Sequence, residues 1–444
     1  MNTLLASLAL PLLLGAAARG ENWPQWRGPF FNGSTTEQDL PAEWGNTNNV
    51  AWVTPLPGRS SATPVVWGDS VFVSSPDEQK HLLLLCLDAK TGKVRWQKQV
   101  AEGDRQTGLN NLATPSPVTD GKIVVAMFGT GDLAAFDFNG RELWKRNLAT
   151  EYGRFANMWM YGSSPMLDQG KLYIQALQSN PRPDDYAHAQ GDPPARESWL
   201  LCVDLQTGTN LWRHIRPSNA RGEAQEAYST PIPFAGKSGR EIILVGGNFL
   251  TAHSAETGTE LWRCAGLNPR NEFYWRTVPS PVAAGDLLLG CGPKGDPLIA
   301  VRDGGQGLVT DTHIAWKLTE HTPDCVTPLF YRQRLYVLDG DHQVMTCVDP
   351  ATGAKQWSSS LGVKEIFRAS PTGADGRIYC ISERGTVVVL AAADACKVLA
   401  TFRMGESPVR SSIVAAQGAL FIRTACNLYC IRKGAFTKSQ ATRL

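Results

Sequence analysis

The sequence predicts an all-β protein, an eight-bladed β-propeller, on three observations. One phrase keeps returning along the chain, each copy holds four apolar runs of strand length, and turn residues fall at matching places between the runs. The phrase is a Ser/Thr-Pro pair, a Gly turn, an apolar strand, Asp-x-x-Thr-Gly and then Trp. The first copy passes through Thr63-Pro64, Gly68, Val71-Phe72-Val73, Asp88, Thr91-Gly92 and Trp96. Five more run from Ser116-Pro117 to Trp144, Ser164-Pro165 to Trp212, Thr230-Pro231 to Trp262, Ser280-Pro281 to Trp316 and Thr327-Pro328 to Trp357. Weaker copies run from Ser370-Pro371 to Leu399 and from Ser411-Ser412 to the C-terminus.

Taken in chain order, residues 1–20 read as a signal peptide: the apolar stretch 4–18 is short for a membrane span and small residues follow it. Residues 21–56 form an N-terminal arm, 57–432 the propeller and 433–444 a tail. In the first copy the strands are expected at 63–67, 70–74, 82–88 and 94–97. Pro at the start of the innermost strand is tolerated if no neighbour inside the channel needs its N–H. The Asp of Asp-x-x-Thr-Gly can bond backbone amides across its turn, and Gly takes the left-handed position. The tryptophans Trp96, Trp144, Trp212, Trp262, Trp316 and Trp357 then lie on outer strands, where an indole fills the wedge between blades. The eighth copy ends without a fourth strand, and Asn49-Val50-Ala51-Trp52 reads as that missing strand, with Trp52 closing the ring.

Composition bounds the function. A net charge of +2, with no basic stripe or lysine run, gives no reason to expect nucleic acid. With its leader removed, the chain is expected to be exported, periplasmic or extracellular, not membrane-embedded, and monomeric. Cys86, Cys202, Cys347 and Cys430 occupy one repeat position as small buried hydrophobes, and Cys426, four residues from Cys430 on extended chain, lies too far from it in space to bridge. One disulfide among Cys264, Cys291, Cys325, Cys380 and Cys396 stays open. The seven histidines lack metal-ligand spacing, and Asp339-Gly340-Asp341-His342 is explained by a hairpin turn. No Gly-x-Ser-x-Gly element offers a nucleophile.

Antiparallel connectivity places the short repeated turns on one face and the long, dissimilar loops (97–113, 145–162, 176–198, 213–228, 263–278 and 317–326) on the other. Variable loops on a regular scaffold carry function, so the site is expected on that face. Arg59, Arg276, Arg368 and Arg410 precede inner strands and could ring the channel mouth, where guanidinium groups favour carboxylate or phosphate. The plainer alternative pairs them with Glu223, Glu226, Glu272, Glu365 or Glu406. Tyr161, Tyr228 and Trp275 join them as candidates for a ligand or partner face, within the loop aromatics Tyr152, Phe155, Trp159 and Phe273-Tyr274-Trp275. The Pro-rich insertion 180–197 could serve as a partner arm.

Leu87-Asp88-Ala89-Lys90-Thr91-Gly92-Lys93-Val94-Arg95-Trp96 resembles the tryptophan-docking repeat of quinoprotein-like (PQQ-like) propellers, and the match recurs over most of 57–431. Asn22-Trp23-Pro24-Gln25-Trp26-Arg27-Gly28-Pro29 and the stretch 57–69 resemble exported PQQ-like proteins of planctomycete and verrucomicrobial bacteria. The resemblance implies one of two roles. A BamB-like scaffold binds a protein partner or small anionic ligand, catalyses nothing and needs no cofactor. A quinoprotein dehydrogenase would hold PQQ and calcium over the channel and oxidise an alcohol or sugar. No adjacent Cys-Cys pair stands here, no calcium-ligand set can be placed on a motif, and no lipoprotein cysteine is present, so neither branch transfers residue by residue.

Overall fold

The repeat folds into eight blades around a channel, each of four antiparallel strands, and the fourth blade gains a short parallel fifth strand, Gly307–Leu308, beside Glu260–Cys264. The structure is a computed structural model, and it describes residues 20–45, 48–108, 110–179 and 197–436. The expected signal-peptide stretch 1–19, the insertion at 180–196 and the tail from 437 lie outside the described residues. In the first blade the strands are Val65–Trp67, Ser70–Pro76, His81–Asp88 and Val94–Glu102, with the first innermost. Apolar residues on both faces of the middle strands are buried because a blade is sandwiched between two neighbours. Among the described residues no helix is long and apolar enough to cross a membrane. All ten cysteines are free, so the open disulfide does not form.

The last blade closes as the sequence suggested. Asn48–Pro55 pairs antiparallel with Asn427–Phe436, with Trp52 opposite Cys430. Each docking indole reaches the next blade's outer turn. Trp52 Nε1 donates to the Ala89 carbonyl (3.1 Å), Trp96 to Phe138 (2.9 Å), Trp144 to Leu205 (2.9 Å) and Trp212 to Ala255 (3.3 Å). Trp316 bonds Pro350 (3.0 Å) and Trp357 bonds Ala393 (3.2 Å). Trp262 instead meets the Asp303 carboxylate (3.4 Å). The turn glycine serves two purposes: Gly208 has φ +72°, and a Cβ there would sit 2.6 Å from the Trp144 ring.

The seventh blade breaks the rule. Ala400 stands where the other blades carry Trp, opposite Val389. The arm supplies the substitute: Trp44, 6% exposed, packs edge-on against Phe402 with ring centroids 4.6 Å apart and joins the core of the seventh and eighth blades.

One expectation is corrected. Proline was placed on the inner strands because the channel was taken to hold no backbone partner, yet the arm runs inside it. Trp23, fully buried, exchanges backbone hydrogen bonds with Val66, and the Pro24 carbonyl accepts from Thr119 N–H. The Gln25 side chain bonds both backbone groups of Leu167. At the deepest point Arg27 donates to the carbonyls of Pro328 (3.0 Å), Pro371 (2.9 Å) and Asn32 (3.0 Å). The chain then turns back along the seventh blade, where Gly33 and Thr35 pair with Gly373. Gly33 has φ +85°, and a Cβ there would lie 2.0 Å from the Arg27 guanidinium. A hairpin-shaped plug therefore fills the channel from the short-turn face. The prolines survive because the arm uses the carbonyls of Pro328 and Pro371 and the backbone of residues after the other prolines, and asks no N–H of Pro itself.

Candidate functional site at the channel mouth

The Ser/Thr of the repeat's seven Ser/Thr-Pro steps, with Ser412 at the same place in the eighth copy, builds the throat of the channel. Thr63 N–H donates to Ser116 Oγ (3.0 Å), Ser116 to Ser164 (2.9 Å), Ser164 to Thr230 (3.2 Å) and Thr230 to Ser280 (2.8 Å). Ser280 then donates to Thr327 (2.9 Å), Thr327 to Ser370 (3.0 Å), Ser370 to Ser412 (3.2 Å) and Ser412 back to Thr63 (3.2 Å). The eight steps form a closed ring. Each hydroxyl satisfies the amide that starts the preceding inner strand, which is why a hydroxyl residue is required there.

Above this ring, on the long-loop face, opens a cavity of about 330 Å³. Trp26, carried by the plug, lines it with Trp159, Tyr228, Cys325 and the guanidinium groups of Arg276, Arg368 and Arg410. The two latter arginines stand two residues ahead of ring hydroxyls, so the repeat itself aims them at the mouth. Arg276 holds Asp324 through two 2.8 Å bonds, and Glu223 lies 3.7 Å from its Nε. Arg368 pairs with Asp341 (2.9 Å) and Arg410 with Glu383 (2.5 Å). The pairing alternative thus holds with other partners: of the five glutamates expected, only Glu223 approaches one of these three arginines. Pairing keeps Arg276 and Arg368 above the ordinary arginine range, and the Arg276 guanidinium draws Asp324 below the usual carboxylate range despite burial. Cys325 sits between Arg276 Nη2 (3.9 Å) and Arg368 Nη1 (3.7 Å), but burial and Asp324 push its thiol up to about 12, so it is no nucleophile.

One wall is a buried carboxyl relay. Trp159 N–H donates to Tyr228 Oη (3.0 Å), which donates to Glu226 (2.6 Å); Met158 N–H (2.9 Å) and Ser179 Oγ (2.7 Å) also reach Glu226. Burial raises Glu226 to about 7 despite these bonds. Trp159 Nε1 bonds Glu223 (2.8 Å), which fixes the indole over the cavity edge at 39% exposure.

The other sequence candidates fall elsewhere. Arg59 is exposed and lines a smaller adjoining recess with Arg410, outside the main cavity. Tyr161 is corrected to a core residue: it is 2% exposed, donates to the Gln175 carbonyl (2.7 Å) and stacks on Phe155. Trp275 bonds Asp296 (2.6 Å) beneath the Lys294 ammonium and does not line the cavity. Although their spacing gave no metal signal, His214 and His253 do meet Glu260 within 4.8 Å. Both His253 nitrogens are already engaged, by Gly258 and Thr251, and Arg263 clamps Glu260. That group is a packed polar cluster.

A family model described as outer membrane protein assembly factor BamB matches residues 34–187 and 267–434. The chain belongs to this PQQ-repeat, BamB-type family. No curated protein matches it. Solved structures share the fold of this BamB-type chain at low identity. BamB from Moraxella catarrhalis superposes with TM-score 0.58 at 12% identity, covering 86% of this chain and 99% of that one. A europium-containing methanol dehydrogenase gives 0.66 at 10%, covering 91% and 90%. Quinohemoprotein alcohol dehydrogenase from Comamonas testosteroni gives 0.63 at 11%, covering 97% and 83%. The mouth does not fit the calcium of a quinoprotein dehydrogenase. Asp324, Asp341 and Glu383 are held by arginines, Glu226 already accepts three hydrogen bonds, and a divalent cation would face three guanidinium groups.

Proposed function

We propose that this BamB-type propeller is an exported, non-catalytic binding module that acts as a monomer and takes a small anionic ligand, or an acidic side chain of a protein partner, at the long-loop mouth. The supporting observation is the cavity walled by Arg276, Arg368 and Arg410 over a plugged channel, open to that face. Arg276 Nη1 and Arg368 Nη2 each carry two protons and give one to their carboxylate, so a donor remains on each for a ligand while the pairs hold the forks in place. Asp324 and Asp341 are committed to arginines and the lining Cys325 thiol is protonated at neutral pH, so none of these three is set up as a nucleophile or general base. Citrate titrated calorimetrically into the purified chain is expected to bind, and the double variant Arg368→Gln/Arg410→Gln to weaken it about tenfold, ~1.4 kcal/mol. The dehydrogenase reading is favoured by the shared fold of two solved quinoproteins. Dye-linked alcohol oxidation after loading with PQQ and calcium would replace the binding reading with that one.

A further inference from the structure

The throat ring has an unused half. Every hydroxyl in it accepts an amide proton, yet among the described residues no acceptor receives the hydroxyl protons of Thr63, Ser116, Ser164, Thr230, Ser280, Thr327, Ser370 or Ser412. All eight residues are over nine-tenths buried, and five of them line the cavity: Ser116, Ser164, Thr230, Ser370 and Ser412. Buried hydroxyl donors without acceptors are costly unless something in the cavity completes them. The site therefore combines three chemistries at different heights: unspent O–H donors at the floor, guanidinium groups above them, and the flat apolar faces of Trp26 and Trp159.

We propose that the ligand is a sugar acid, a uronate-type monosaccharide or the acidic terminal unit of a glycan. The inference rests on the binding-module reading and names its ligand class. A pyranose carboxylate meets the arginines, its ring and hydroxyl oxygens accept from the throat hydroxyls, and its apolar C–H face lies against indole. The cavity volume of about 330 Å³ stands at the small end of ligand pockets, which suits one sugar ring. An acid without hydroxyls gives the throat O–H groups no acceptor, so the site discriminates against it.

The test compares three probes of similar size by calorimetric titration into the intact chain: glucuronate, glucose and cyclohexanecarboxylate. Glucuronate is expected to bind about tenfold or more tighter than either of the others. Ser164→Ala is expected to reduce that preference, while Ser164→Thr, which keeps the hydroxyl, retains it; melting curves of both variants register any change in the ring itself. Cyclohexanecarboxylate binding within tenfold of glucuronate overturns the sugar assignment while leaving an anion-binding module in place. Absence of binding by all three and by citrate overturns both readings. A preference for glucuronate that survives Ser164→Ala and matching losses at Thr230→Val and Ser370→Ala overturns the role of the throat hydroxyls.

Discussion

Glu226 is a carboxyl group enclosed by protein, and its environment ties the mouth to pH. Its folded pKa, about 7, lies above the ordinary 4.5, so the folded state binds the extra proton. The linked stability is fully present below pH 4.5 and is lost as pH rises through 7, on the order of 3 kcal/mol. Urea unfolding at pH 5 and pH 8 should therefore show a fall in the parent that is smaller in Glu226→Gln by about that amount. Arg27 poses the opposite problem: burial presses its pKa down to about 9, no carboxylate accompanies it, and three carbonyls hold it instead. Arg27→Met leaves those carbonyls without donors and should cost about 3 kcal/mol, read from the urea midpoint. From the sequence Glu226 is expected only as a partner for an arginine, and Arg27 carries no role of its own. Arg27 sits in a stretch resembling other exported PQQ-repeat proteins, which marks a family and gives no geometry. The Ser/Thr of Ser/Thr-Pro is visible seven times, and Ser412 heads the eighth copy without a proline, but the acceptor role needs the neighbouring blade.

At the scale of the element, the docking step joins one Trp to one turn glycine of the next blade. A side chain at Gly208 meets the Trp144 ring at 2.6 Å and must adopt φ +72°, so Gly208→Ala should cost about 2–4 kcal/mol in thermal or urea unfolding. Trp44→Ala empties the one seam where Ala400 replaces the docking indole, and about 3–5 kcal/mol should go with it. Periodicity made the tryptophans and the ring-closing strand legible, because they recur in register or complete an incomplete copy. Trp44 was not, since it belongs to no repeat and fills its wedge from a different stretch of chain. The arginine partners were misread for a related reason: Asp324, Asp341 and Glu383 lie on loops whose mutual placement only the closed ring determines.

For the molecule as a whole, the arm is both plug and clasp. Deleting residues 21–45 while keeping Asn48–Pro55 removes Trp23, Arg27, Leu40 and Trp44 together, and should lower stability by about 5 kcal/mol or more, measured by urea unfolding. The same deletion takes away Trp26, a lining residue of the cavity, so ligand binding at the mouth should fall with it even where the ring survives.

The order in which the chain is made sets a constraint on how it can mature. The strand Asn48–Pro55 leaves the ribosome early but has no partner strand until the final blade, more than three hundred residues later, has been synthesised. Blades one to seven can begin to stack, with the arm already seated on the first of them, while this strand waits. The finished molecule is therefore locked only after its two ends have met, and any tether that keeps them apart would hold it as an open crescent.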